Sequence, residues 1–244
     1  MDALSSAKRI SDWSAWIGEI PKPVRDAVAV FDEIAFAEPP QPYFDADGCT
    51  PANAAERVEA LAMNLAVAAR HTEAVSIARQ TLAATVLQAA GRSVPEILTR
   101  LRGPFDAAVQ AYTAAVALIP EGATAEQLLD AAPEVQSAYA AAQAAAAEIR
   151  KVELFLDSTS DLPGYATYDH HSVLRVIEAT NREELAALLG ADTKSAAEQT
   201  LVPLYLTAAR LGLTFRMATA NEAAALKAEI DAMPMVEQRK FVSW

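Results

Sequence analysis

Asp169, His170 and His171 form the densest run of metal-ligating and proton-transferring side chains in the chain, with Asp157 and Asp161 just upstream. Imidazole and carboxylate groups brought together can hold a divalent cation or move a proton. The spacing works against both uses. Adjacent histidines diverge by about 100° on a helix and face opposite sides of a strand. Helical zinc sites instead place ligands three or four apart, as in H-E-x-x-H, which is absent. The expected role of the run is a polar helix start with Asp169 as its cap. The third histidine, His71, sits beside an apolar stripe, and no carboxylate three or four residues away orients it. It reads as an interface residue. The single cysteine, Cys49, excludes an intramolecular disulfide and a cysteine-based zinc site. Asp45 and Asp47 beside it would raise a thiol pKa, which predicts an inert side chain. Residues 44–48, FDADG, open like a calcium loop but lack its later ligands and terminal glutamate. Phosphate-binding glycine loops, G-x-S-x-G and dinucleotide fingerprints are absent as well. No catalytic, cofactor-binding or metal-binding residue is assigned, and no cofactor is expected.

The elements that must carry these residues follow from composition. Of 244 residues, 56 are alanine and 8 glycine, which favours helix, because alanine loses no side-chain entropy there and glycine loses the most backbone freedom. The apolar content of 52% excludes a mainly disordered chain. Acidic residues outnumber basic ones 32 to 20, for a net charge of -12. No basic cluster exists to neutralise phosphates, so nucleic acid is not an expected partner, and an anionic membrane surface would repel the chain. The start, MDALSSAKRISDW, has no continuous apolar stretch after its basic pair and does not read as a signal peptide. No window of about 18 strongly apolar residues occurs. A cytoplasmic or intracellular location is expected, or a virion if the chain is phage-encoded.

Prolines punctuate the first two thirds. A first helix is predicted from about Ser5 to Gly18, with Ile10, Trp13, Ile17 and Ile20 in its stripe; a second opens at Pro21 and Pro23, with Val24, Val28, Phe31 and Ala35 inward. Thr50-Pro51 looks like a cap followed by proline at the first helical position, and the helical pattern then continues to Gly91. Within it Val58, Leu61, Leu65, Ala68, Thr72, Val75, Arg79, Leu82, Val86 and Ala89 alternate three and four apart, the spacing of a coiled-coil seam. A helix from Pro51 to Ala90 would be ~60 Å long, more than a compact domain of this size can cover alone. Ser93 with Glu96 predicts a capping box and a short helix ending at Gly103-Pro104, followed by a helix carrying Phe105, Val109, Tyr112, Val116 and Ile119. Thr124 with Gln127 predicts another box. A long helix is expected from Pro133 to about Asp157, its alanine-rich centre lying close against a neighbour.

Residues 158–168 read as a linker, and the character then changes. VLRVI (173–177) and LTFRM (213–217) predict two neighbouring strands, each followed by a helix, with Asn181 and Asn221 as caps. An all-helical reading of 169–180 is the alternative. A helix from about Thr193 to Leu211, interrupted at Pro203, is expected between them, and the final FVSW is a candidate third strand. Trp13, Trp16 and Trp244 are candidate partner anchors, since tryptophan is enriched at interface hot spots.

The expected fold is mainly α: a helical bundle over 1–157 with one long coiled-coil-like helix at about 51–90, then the linker, and a small C-terminal α/β or helical part over 169–244. The expected function is a non-catalytic structural or assembly protein acting through helix–helix contacts and self-association, for example within a larger particle such as a phage virion. Its partner-binding residues are Trp13, Trp16, Leu61, Leu65, Val75, Leu82, Val86 and Trp244. The alternative is an enzyme or small-molecule binder with a site around Asp169–His171, between the body and the C-terminal part. A third is a regulatory module whose acidic surface meets a basic partner.

Overall fold

A computed structural model describes residues 2–39, 41–44, 46–123, 127–128, 130–165, 172–193 and 201–233. The fold is mainly α-helical, with one two-stranded sheet near the C-terminus. The chain divides into two compact units, Met1–Asp12 with Ile20–Ser93 and Trp13–Glu19 with Val94–Trp244.

In the first unit, helix α1 (Ala3–Ser11) is capped by Asp2, whose carboxylate accepts from the Ser5 N–H at 2.8 Å. It buries Ala7 and Ile10. The predicted single helix from Ser5 to Gly18 is in fact two. The Asp12 N–H bonds back to the carbonyls of Arg9 and Ile10, closing α1, and α2 (Trp13–Ile17) starts afresh. Gly18 follows α2 with φ of 73°, a left-handed conformation that glycine adopts without a Cβ penalty. Helix α3 (Lys22–Glu33) opens on the predicted prolines: Pro21 is its cap and Pro23 lies in its first turn, where a missing N–H costs nothing. It packs on α1 and buries Val24 and Phe31.

Helix α4 (Ala54–Val116) is 63 residues long, about 95 Å at 1.5 Å per residue. It does not stop at Gly91 but runs through Pro95, Gly103 and Pro104, where the sequence predicted breaks and a new start. Ser93, the predicted cap, instead donates from its hydroxyl to the Ala89 carbonyl inside the helix at 3.0 Å. An interior proline costs about 3 kcal/mol. Against this stand Ala90, Val94, Ile97, Leu101, Phe105 and Tyr112, all buried in one stripe that crosses both prolines. Each of the larger side chains contributes about 1.5–3 kcal/mol, so burial outweighs the local breaks. Both prolines lie on the exposed side of the helix. Gly103 carries no Cβ to clash with the Pro104 ring.

In the second unit, helix α5 (Pro133–Ser158) has nearly the predicted bounds and buries Ala138, Ala142, Ala145, Ala146 and Ile149. Ala111, Ala114 and Ala115 of α4 and Ala138 and Ala141 of α5 line one open groove of about 610 Å³. Trp13 of α2 is enclosed against the end of α5: its indole N–H donates to the Ser158 hydroxyl at 2.8 Å, and its ring meets Phe155 edge-on at 5.0 Å.

The C-terminal part contains the predicted pair of strands, much shortened. Residues Ser172–Arg175 form a 3-10 turn, and among the described residues β1 (Ile177–Glu178) and β2 (Thr214–Phe215) pair, antiparallel, with Ile177 opposite Phe215. Between and after them come α6 (Arg182–Asp192), α7 (Pro203–Arg210) and α8 (Ala220–Ala232), with α6 packed on α7 and α8 on the 172–175 turn. Asn181 caps α6 as predicted, accepting from the Glu184 N–H at 2.9 Å. Asn221 does not cap α8. Thr219 does, in a reciprocal capping box with Glu222, while the Asn221 amide donates to the Gly164 carbonyl at 2.7 Å. Threonine with glutamate three residues on satisfies two backbone donors at once, which asparagine alone cannot. Thr124, residues 194–200 and the final FVSW lie outside the described residues, with the expectations placed on them.

Candidate interaction face

The seam Val58, Leu61, Leu65, Ala68, Thr72, Val75, Arg79, Leu82, Val86 and Ala89 occurs on α4 as one continuous face, and the first unit covers it unevenly. Val86 is fully buried, Leu61, Ala68, Val75, Arg79, Leu82 and Ala89 are half-buried, and Val58, Leu65 and Thr72 are exposed. Two long-range contacts show what lies against it. The Arg79 guanidinium sits over the Phe31 ring at 5.4 Å from its centroid, a cation–π contact that suits a polar residue in an apolar seam. The Nε2 of His71 lies 2.9 Å from the Ala37 carbonyl oxygen. A carbonyl only accepts, so this ring nitrogen carries the proton and donates. His71 is a satisfied packing residue of this unit.

A second stripe, not recognised in the sequence, runs along the same helix. Ala60, Met63, Val67, Arg70, Ala74 and Ile77 also alternate three and four apart, and at 100° per residue they are centred roughly 140° around the helix from the first seam. The side on which Arg79 meets Phe31 of α3 is therefore nearly opposite. Met63, Val67 and Ile77 leave 66%, 47% and 59% of their surface open. The signal was available in the same three-four rule, started two residues later. The alanines hid it by making the whole segment look uniformly helical. A smaller apolar patch lies at the end of α3, where Ala29, Val30, Ile34 and Phe36 border a shallow groove of about 580 Å³.

The other candidate residues fall into several places. Trp13 is wholly buried and Trp16 half-buried. Asp169, His170, His171, Asp45 and Trp244 lie outside the described residues. Asp157 accepts from the buried Arg175 guanidinium, and Asp161 belongs to the 3-10 turn that follows α5. Cys49 is exposed, in a turn closed by its own N–H to the Ala46 carbonyl. Among the described residues no group of three or more His, Cys, Asp or Glu side chains could hold a metal ion, and no helix is long and apolar enough to cross a membrane.

One buried polar cluster in the second unit escaped the sequence reading, because its members are far apart in the chain. Tyr205 of α7 donates its hydroxyl to the Glu153 carboxylate of α5, and the Arg150 guanidinium reaches the same oxygen at 2.6 Å. The rings of Tyr112, Tyr205 and Phe215 pack edge to face with centroids 6.2–6.3 Å apart. Burial, reinforced by the adjacent Glu153 carboxylate, pushes the Tyr205 pKa above its ordinary 10.0. Burial raises Tyr112 likewise. Both phenols stay protonated at physiological pH, and Tyr205 is committed as a donor to Glu153, so this cluster ties α5 to α7. No protein-family model, curated protein or solved structure matches the chain.

Proposed function

We propose that the protein is a non-catalytic structural or assembly protein that works through helix–helix contacts and associates with itself. A component of a larger particle, such as a phage virion, is one concrete form of that role. The observation that carries the reading is the run of large apolar side chains left open on both sides of α4. Val58 and Leu65 are 56% and 52% exposed, and Met63, Val67 and Ile77 accompany them. Single exposed apolar residues are ordinary; two rows of them on one helix, Met63, Val67 and Ile77 on one side and Val58 and Leu65 on the other, support faces that other helices cover. The charge of -12 supports a protein partner and not nucleic acid. Light scattering on the purified chain should give a mass that is a multiple of 26.0 kDa at micromolar concentration. A strict monomer that captures no partner would overturn the reading.

A further inference from the structure

We infer that the Ala60–Ile77 stripe is the face on which a second copy of this chain docks, with the two α4 helices antiparallel about a two-fold axis beside residue 65. The inference rests on the self-association proposed above and names its geometry. The choice of occupant comes from the charges. Arg70 is the one ionised residue between Ala60 and Ile77 in the stripe, and its side chain is 80% exposed. Its present bond to Glu73, at 2.8 Å, is a surface pair one turn away, and such pairs hold a side chain only weakly. Parallel, in-register pairing would set Arg70 against the partner's Arg70. Antiparallel pairing about residue 65 instead sets Arg70 opposite the partner's Ala60, whose short side chain leaves room for it. The partner's Glu56 and Glu59, one turn and one residue before its Ala60, then stand beside it on the same side.

In the same register Met63 meets the partner's Val67, and Val67 meets the partner's Met63, so the open apolar pair fills the centre. Every contact occurs twice, as a two-fold interface requires. The net charge of the segment also favours a copy of itself. Residues 54–81 hold Glu56, Glu59 and Glu73 against Arg57, Arg70 and Arg79, for a sum of zero, so the rest of the chain carries the whole -12. Two copies therefore approach with least repulsion along this helix.

The test uses the full chain and sedimentation equilibrium. Met63→Glu/Val67→Glu should reduce the association constant at least tenfold with unchanged helix content by circular dichroism, because both side chains are exposed in the single chain and meet each other across the axis. Arg70→Glu alone and Glu56→Arg/Glu59→Arg alone should each weaken association, and an equimolar mixture of the two variants should restore it as a heterodimer, since the mixed pair regains opposite charges at both ends. Association that survives Met63→Glu/Val67→Glu overturns this face while leaving self-association standing. A mixture that fails to recover overturns the antiparallel arrangement. A wild-type chain that stays monomeric overturns the face and the self-association beneath it, and one that also captures no partner overturns the assembly reading as a whole.

Discussion

The Trp13 indole is enclosed by the edge of Phe155 and anchored by its hydrogen bond to Ser158, 145 residues away. Trp13→Ala removes that bond and leaves a cavity, so it should cost about 3–5 kcal/mol in urea unfolding. The two buried tyrosines make a sharper comparison. Tyr205→Phe takes the donor from Glu153 and should destabilise by about 1–3 kcal/mol. Tyr112 has a buried hydroxyl without a hydrogen-bond partner among the described residues. Tyr112→Phe should therefore be neutral or stabilising by about 1 kcal/mol, and an equal loss in both variants would contradict this account. The same burial sets a pH dependence. A phenol whose folded pKa is raised adds stability that is fully present below its unfolded value near 10.0 and is lost as pH rises through the folded value. Thermal midpoints should hold steady from neutral pH to about 10 and fall above it, and the fall should shrink in Tyr205→Phe.

At the scale of elements, α4 decides most of what differs from the local reading. Pro95 and Gly91 carry the local marks of a helix boundary, and local rules weigh them correctly for an isolated segment. The helix continues because Ile97, Leu101 and Phe105 are buried on one stripe with residues before the break, a gain that depends on other elements and is invisible in a window of ten residues. Pro95 lies on the exposed side. Pro95→Ala should restore the missing N–H bond to the Gly91 carbonyl and stabilise by up to about 3 kcal/mol, read as a higher thermal midpoint. Where a signal is local it was legible: the Asn181 cap, the prolines opening α3 and α5, and the order of strands and helices after 172. Thr219 displaced Asn221 as a cap because Glu222 completes its box.

Across the whole molecule, charge and apolar surface oppose each other. Two chains of charge -12 repel, and in the proposed self-association the open stripes of α4 supply the attraction. Association should strengthen as ionic strength rises from about 0.01 M to about 0.15 M, where the screening length falls from about 30 Å to about 8 Å. Sedimentation across that range checks it, and weakening with salt would show that the Arg70 pairs dominate over the net charge. Helix content, acidity and both three-four stripes of α4 are properties of the sequence by itself, because propensity, charge and period add up along the chain. Which stripe is covered was decided only in three dimensions. Phe31 reaches Arg79 and the Ala37 carbonyl reaches His71 across long stretches of chain, while nothing among the described residues fills the face of Met63, Val67 and Ile77. Burial is a non-local quantity, and two stripes of the same period look alike until a neighbour has chosen one of them.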